Sequence, residues 1–351
     1  IPEATDVGTY TVWYKVVGGS NYQDIEAQSI AIEIMPREVT APVFADMEEA
    51  YSYTGNAVEP TFTLKDGDTV IPTTEYEVRY QYNVNVGTAS IVVTDRIGGN
   101  YTVSGTKSFT INKAQPDISV VPTVTERTYH PSQALENSDL SGGIAIGVDG
   151  SALEGSWSFA TAGIVPKAGS NSYEVIFTPI DANYTKVTTM VVVTVDKAVA
   201  TVEELPIASA IVYGDTLEVS TFSGGKMVCG NVVVPGTYEW KFNGVTPTVA
   251  DSNSTTYSVM FVPEDTTNYE YVEMKVSLTV NKADPVVEIP RVMAEYGQTL
   301  KDNSLPQGWE WEEESTSVGN AGTHSFNAIY TPEDTANYNV ITREITVDVM
   351  R

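Results

Sequence analysis

Apolar and polar residues alternate with a period of two along much of the chain. Tyr173, Val175 and Phe177 alternate with Glu174 and Ile176, and Tyr257, Val259 and Phe261 with Ser258 and Met260. Val276, Leu278 and Val280 alternate with Ser277 and Thr279. This period puts every second side chain on one face of an extended strand, the pattern of half-buried antiparallel sheets. Turn signals interrupt at short intervals, at Asp66-Gly67-Asp68, Gly98-Gly99-Asn100, Ser141-Gly142-Gly143, Gly224-Gly225, Asn243-Gly244 and Gly297-Gln298. No long stretch carries a helical period with caps. Several short strands at this spacing predict an all-β chain of two-sheet antiparallel sandwiches.

The pattern also repeats on a longer scale. An Asn-Tyr pair recurs at Tyr22, Tyr101, Tyr184, Tyr269 and Tyr338, at spacings of 79, 83, 85 and 69 residues. In the last three copies it closes a longer motif: Phe177-Thr178-Pro179 through Asn183-Tyr184, Phe261-Val262-Pro263 through Asn268-Tyr269, and Tyr330-Thr331-Pro332 through Asn337-Tyr338. A closing strand follows, ending in Asn112-Lys113-Ala114, Asp196-Lys197-Ala198 or Asn281-Lys282-Ala283, and varied in the last copy as Ile345-Thr346-Val347-Asp348. The Lys-Ala endings set module borders at 37–114, 115–198, 199–283 and 284–351. Residues 1–36 match only the C-terminal part of a module: Val7-Gly8-Thr9 aligns with Val86-Gly87-Thr88, and Ile30–Ile34 with a closing strand. The expectation is an incomplete module of about three strands whose partners are supplied from elsewhere, within a longer tandem array. The period exceeds the ~20–50 residues of solenoid repeats and suits small independent domains.

These motifs resemble a known family. The Phe-x-Pro-x-Asp-x-x-Asn-Tyr loop, Tyr213-Gly214-Asp215-Thr216-Leu217, Tyr296-Gly297-Gln298-Thr299-Leu300 and the Lys-Ala junctions resemble the bacterial immunoglobulin-like (Big/MBG-type) tandem repeats of large cell-surface or secreted proteins. The second module resembles a sister subclass through Tyr53-Thr54-Gly55-Asn56-Ala57-Val58-Glu59-Pro60. The resemblance covers essentially the whole chain. It implies an elongated tandem array of immunoglobulin-like antiparallel β-sandwich modules in an extracellular, cell-surface or secreted setting. It is silent on activity, because such repeats serve as spacers, stalks and adhesive modules alike.

Composition narrows the function classes. The 351 residues carry 19 Lys+Arg against 46 Asp+Glu, a net charge of −27. That balance opposes binding to nucleic acid phosphates or anionic membrane surfaces. No apolar run is long enough to span a bilayer. Two histidines, His130 and His324, and one cysteine, Cys229, leave no disulfide framework, no Cys/His zinc site and little for Ser-His-Asp chemistry. An inert buried thiol is expected at Cys229. The charge is spread as −4, −4, −5, −6 and −8 over the five segments, so no module stands out as catalytic. The last module holds one lysine, Lys301, and no first-strand lysine is shared, so a recurrent Lys–Asn isopeptide is not indicated.

The recurring residues have structural and functional readings. Asn tolerates a left-handed turn, and a following tyrosine can cover the end of a sandwich with its hydroxyl on a backbone carbonyl. Tyr22, Tyr101, Tyr184, Tyr269 and Tyr338 are therefore assigned as structural. The acidic loops supply oxygen ligands, which makes Asp265, Asn268, Asp334 and Asn337 calcium candidates, although the carboxylates are sparse. Asp251-Ser252-Asn253 begins like an EF-hand loop, but Val262 stands where the bidentate Glu belongs. Trp13, Trp157, Trp240, Trp309 and Trp311 could stack on sugars if exposed, or fill cores if buried. No cofactor is expected and no catalytic residue is assigned. The reading is a non-enzymatic stalk, spacer or adhesive segment, with neighbouring modules of the same chain and an envelope or host ligand, glycan included, as partners. The alternative is a set of carbohydrate- or ligand-binding modules accessory to an enzyme or adhesin.

Short junctions such as Lys113-Ala114-Gln115-Pro116 and Lys282-Ala283-Asp284-Pro285 stiffen the passage between modules. Strands of ~30 Å laid end to end give a rod on the order of 130–160 Å. Its radius of gyration is roughly 40 Å, against about 20 Å for a globule of this length. Small-angle scattering in moderate salt is expected to return the larger figure, and the smaller one would refute the elongated array.

Overall fold

The period-two segments form strands in a computed structural model that describes residues 2–351. Within Gly87–Asp95, Ala89, Ile91 and Val93 are buried, and Tyr101–Asn112 brings Val103, Phe109 and Ile111 to the same interior. Ala89 lies directly opposite Phe109 in an antiparallel register. Full burial of such side chains contributes ~1.5–3 kcal/mol each, so these alternating faces hold the layers together.

By its internal packing the chain divides into two compact units. One comprises Ile1–Thr125, Leu135–Ile164 and Ser172–Val193, the other Glu126–Ala134, Val165–Asn171 and Thr194–Arg351. The division runs through segment 115–198 and coincides with none of the Lys-Ala positions.

In the first unit, residues 37–114 form two facing sheets. One runs in the order Arg37–Val39, Tyr101–Asn112, Gly87–Asp95, Tyr76–Gln81. Its outermost short strand is parallel to Tyr101–Asn112, and Ala50–Ser52 pairs parallel with the far end of that same strand. The second sheet joins Val43–Ala45, Thr63–Asp66 and Thr69–Val70, with Gly67 at φ 57° opening the tight turn Gly67-Asp68. Leu64, Ile71, Tyr76, Ile91 and Phe109 fill the space between them. Further along the unit, Gly155–Phe159 pairs antiparallel with Phe177 and its neighbours, burying Val175 and Phe177.

In the second unit, residues 199–283 repeat the plan. Thr201–Ala208, Phe222–Cys229 and Val232–Val233 form one sheet, and Gly236–Trp240, Tyr257–Pro263 and Val272–Val276 another. Met227, Leu217, Val259 and Phe261 lie in the core. The short strand Ile211–Val212 runs parallel to Val280–Asn281. Residues 284–351 keep one four-stranded sheet, Arg291–Glu295, Ile341–Met350, Gly322–Tyr330, Trp309–Trp311. Its opposing layer is not strand-built. A 3₁₀ turn at Leu300–Asp302 packs there with Val287, Leu305 and Val318, covering Trp309 and Trp311 while Glu310 faces water. A short strand parallel to the closing strand recurs at Ala50–Ser52, Arg127–Thr128, Ile211–Val212 and Arg291–Glu295. The chain is thus all-β, a tandem array of immunoglobulin-like sandwich modules.

Two sequence expectations shift. The closing strand of the last module ends two residues later than its motif suggests. Tyr53, Tyr129 and Tyr213 donate their N–H to the carbonyls of Asn112, Asp196 and Asn281, and Tyr296 donates to Met350. Met350-Arg351, not Asp348, therefore occupies the place of Asn-Lys, and a two-residue slip keeps the same face inward. Residues 1–36 supply two strands rather than three: Gly8–Val16 pairs antiparallel with Ile25–Ile34. Gly8 faces Ile34 as Gly87 faces Ile111, so Tyr10, Val12 and Tyr14 stand where Ala89, Ile91 and Val93 are buried. Here Tyr14, Ile30 and Ile32 are 48%, 54% and 47% exposed, because no second sheet covers them.

A two-stranded ribbon with an uncovered apolar face is marginal in water at best. A peptide of residues 1–36 is expected to show no cooperative thermal transition by circular dichroism. A sigmoidal transition independent of peptide concentration would refute this.

Candidate functional site

The recurrent Asn-Tyr pairs mark a feature built four times around the same bond. Each sits on the connection into a closing strand and is shaped locally by an aspartate or glutamate. Asp265 Oδ1 accepts the backbone N–H groups of Thr267 and Asn268 at 3.2 and 3.1 Å, and its Oδ2 accepts the Asn268 amide Nδ2 at 2.7 Å. Asp334 holds Asn337 in the same way, through backbone N at 3.2 Å and Nδ2 at 2.8 Å. Asp181 accepts Asn183 N at 2.8 Å, and Glu75 accepts Asn100 N at 2.6 Å. These are turn-forming uses of a carboxylate. Asp265, Asn268, Asp334 and Asn337, the calcium candidates, have their oxygens engaged in this way.

Pinning the amide nitrogen aims Oδ1 outward, and in every copy it reaches the preceding module. Asn100 Oδ1 accepts the Val7 N–H at 2.8 Å, and Asn183 Oδ1 the Val86 N–H at 2.8 Å. Asn268 Oδ1 accepts from Ala168 N at 2.8 Å, and Asn337 Oδ1 from Val249 N at 3.1 Å. The first three donors each precede a strand-opening glycine, Gly8, Gly87 and Gly169, at φ 154°, 138° and 102°. That left-handed backbone is open to glycine and strained for other residues. Where the donor strand begins in Asp6-Val7-Gly8 or Asn85-Val86-Gly87, Asp6 and Asn85 also accept Nδ2 of Asn100 and Asn183, at 3.3 and 3.2 Å.

The Lys-Ala position adds a backbone clamp. Ala114 N donates to Asn183 O at 3.0 Å and Thr185 N donates back to Ala114 O at 2.8 Å. Ala198 repeats this with Asn268 and Glu270, and Ala283 with Asn337 and Asn339. Parallel bridges therefore join Ala114, Ala198 and Ala283 to Tyr184, Tyr269 and Tyr338. Arg37 N makes the equivalent bond to Asn100 O at 2.8 Å.

The tyrosines complete the joint edge to face. Tyr184 meets Tyr53 at 5.5 Å and 83°, Tyr269 meets Tyr129 at 5.3 Å and 87°, and Tyr338 meets Tyr213 at 5.3 Å and 85°. Such pairs contribute ~0.5–1.5 kcal/mol beyond the area they bury. Tyr184 and Tyr269 are buried, Tyr101 and Tyr338 half-buried, and Tyr22 is 83% exposed. The Tyr184 hydroxyl accepts the Val148 N–H at 3.1 Å; no hydrogen bond to the Tyr269 or Tyr338 hydroxyl is found among the described residues. Burial, with Cys229, Tyr129 and Asp265 nearby, pushes the Tyr269 phenol up to about 12. Burial also raises Tyr53 and Tyr129.

The sequence reading places each tyrosine over its own sandwich. Tyr184, Tyr269 and Tyr338 also pack on a tyrosine of the preceding module, whereas Tyr101 packs on the 37–114 core and Tyr22 is exposed. The partners of Asn are backbone N–H groups, so no recurring side chain announces them. The available signals are the Val-Gly or Ala-Gly step at three of the four donors and the receiving tyrosines Tyr53, Tyr129 and Tyr213.

The other candidates fall outside this site. Cys229 is buried in the 199–283 core, which raises its thiol pKa. His130 accepts Ser132 N, and His324 Nε2 pairs with Asn320 O at 2.7 Å. Asp251 closes a capping box with Thr248. Trp240, Trp309 and Trp311 are buried and Trp157 half-buried, whereas Trp13 is 68% exposed.

No protein-family model matches this sequence, and no curated protein matches it. Solved structures similar to the chain include Sidekick-1 immunoglobulin domains 1–5, at 10% identity, with 92% of this chain and 83% of that one covered and a TM-score of 0.28. Protocadherin Gamma B2 extracellular cadherin domains 1–5 match at 12% identity over 98% and 86%, with a TM-score of 0.25. The insect immune protein hemolin matches at 11% identity over 88% and 100%, with a TM-score of 0.22.

Two outcomes follow for the joint. Tyr269→Ala should destabilise by ~3–5 kcal/mol, the scale for deleting a buried aromatic. Because the ring packs on Tyr129, a double-mutant cycle with Tyr129→Ala should show a coupling of ~0.5–1.5 kcal/mol, and additive losses would place the ring outside the joint. Raised thiol and phenol pKa values stabilise the fold below the unfolded values and lose that stability as pH rises through the folded ones. Chemical denaturation should therefore show stability falling from pH ~9 for Cys229 and through ~10–12 for Tyr269. Tyr269→Phe should flatten the upper part of that fall, and an unchanged slope would contradict the assignment.

Proposed function

We propose that this chain is a non-enzymatic spacer or adhesive segment of a bacterial cell-surface or secreted multidomain protein. Its work is to hold successive immunoglobulin-like modules in fixed relation through the Asn-Tyr joints. The joint is the observation that carries this reading: its bond from a backbone N–H to an asparagine Oδ1 repeats four times. Module borders at 37–114, 115–198, 199–283 and 284–351 belong to the same proposal.

Six carboxylates are unsuited to general-acid work. Asp24, Asp149, Asp251, Glu273, Asp302 and Asp348 are held below the usual carboxylate range by hydrogen bonds from Lys15, Ser151, Thr248, Lys241, Thr299 and Arg291 respectively. A general acid needs the opposite shift. Among the described residues, no group of three or more His, Cys, Asp or Glu side chains is placed to hold a metal, and no helix is long and apolar enough to cross a membrane. The carbohydrate-binding alternative asks for coplanar exposed rings. Trp13 and Tyr14 are exposed but adjacent in one strand, so they point to opposite faces of the ribbon.

A spin label on each of modules 199–283 and 284–351 tests the joint's role by double electron–electron resonance. A narrow distance distribution is expected, broadened by Asn337→Ala with both modules still folded. A broad native distribution, or turnover in a glycosidase panel abolished by one carboxylate substitution, would remove the proposal.

A further inference from the structure

The last module carries the receiving half of this joint, and it is open. Across the occupied joints that half draws on a tyrosine after the parallel strand (Tyr53, Tyr129 and Tyr213), the N–H before a strand-opening glycine (Val7, Val86 and Ala168), and the residue pair at the end of the closing strand; the joint between 37–114 and 115–198 has all three. Module 284–351 has all three. Tyr296 follows Arg291–Glu295 and bonds Met350 O, as Tyr53, Tyr129 and Tyr213 bond Asn112, Asp196 and Asn281. Asn320-Ala321-Gly322 stands where Asn85-Val86-Gly87 stands, and Gly322 opens its strand at φ 137° against 138° for Gly87. Arg351 occupies the position of Lys113, Lys197 and Lys282.

What differs is cover. Tyr53, Tyr129 and Tyr213 are half-buried under the incoming tyrosine, whereas Tyr296 is 66% exposed. Val86 and Ala168 are half-buried, whereas Ala321 is exposed. We propose that this face is a docking surface for an Asp-x-x-Asn-Tyr loop of a further module of the same type. The incoming Asn Oδ1 accepts the Ala321 N–H, Asn320 Oδ1 takes its Nδ2, and the incoming tyrosine stands edge-on to Tyr296. Continuity with the occupied joints selects this occupant: the same atoms receive the same loop within the chain. The proposal rests on the joint's geometry and is independent of whether the chain is adhesive.

The test appends a copy of residues 198–283 directly after Arg351 of the full chain, so that Arg351-Ala198 replaces Lys197-Ala198. Tyr296 and Ala321 then occur once, and mass spectrometry can follow both. Hydrogen exchange at the Ala321 amide is expected to slow by about tenfold, the scale of one net hydrogen bond. Nitration of Tyr296 by tetranitromethane should fall in parallel. Asn268→Ala in the appended copy alone should return Ala321 to its original exchange rate. Should that variant unfold the copy, Tyr296→Ala in the last module decides, since it leaves the copy native and should lose most of the protection. Unchanged exchange and nitration on extension, or protection indifferent to both substitutions, would overturn the proposal. Concentration-dependent protection of Ala321 in the unextended chain would overturn it too, because a second copy would then be the occupant.

Discussion

The arrangement within each unit depends on one hydrogen bond, from a backbone N–H of one module to an asparagine side-chain oxygen of the next. A backbone N–H at the start of a strand that opens on glycine has no ladder partner on that side. Left dry and unpaired, it costs ~1–3 kcal/mol, so the incoming Asn Oδ1 is a requirement more than an ornament. The amide also demands a fixed orientation, because its two ends have opposite hydrogen-bonding character. Asp265 and Asp334 settle that by accepting Nδ2. The turn-forming carboxylate and the joint thus form one device, in which local loop chemistry decides which way the module end points.

That device explains why the pair is asparagine followed by tyrosine. The asparagine carbonyl accepts from the alanine of the Lys-Ala step, and the residue after the tyrosine donates back, as Glu270 does to Ala198. The tyrosine lies between these bonds, and Tyr184, Tyr269 and Tyr338 project onto the preceding module's own tyrosine. Backbone bridging therefore fixes the ring, and ring packing excludes water from the bridge. Substituting either residue leaves the other half wet, so the elements are expected to act together rather than additively.

Much of the fold was legible in the sequence because period-two alternation reports burial directly. Tyr257–Pro263 buries Val259 and Phe261, the residues its alternation selects. The Asn-Tyr pairs were visible too, but their role was not. Their partners are main-chain groups of residues as different as Val7, Ala168 and Val249, and backbone donors leave no signature in side-chain identity. The opposing layer of module 284–351 escaped for another reason: a 3₁₀ turn around Leu300 packs as well as a strand without alternating. The closing strand was mis-set by two residues because Val347 and Val349 share one face, and periodicity cannot distinguish a slip of two.

The chemistry of the joint also fits the charge of the chain. Every segment is acidic, and the whole carries −27. A joint built from ion pairs would need cations that these modules lack, and it would weaken with salt on the ~10 Å scale of screening at 0.1 M. The observed ion pairs, such as Lys241–Glu273 and Arg291–Asp348, lie on partly exposed strand faces, where such pairs contribute little. Most bonds across the joints use neutral amides and peptide groups, the exceptions being the Asp6 contact at the first and the Lys282 ammonium on the Thr335 carbonyl at the last, and phenol rings pack beside them. Like charge on successive modules then acts against side-by-side collapse without opposing the end contacts, since repulsion between spread surface charges is screened while a dry amide–peptide bond is not. Acidity and the Asn-Tyr joint are two parts of one solution: the first discourages wrong contacts between modules, and the second supplies the right one with groups that charge does not disturb.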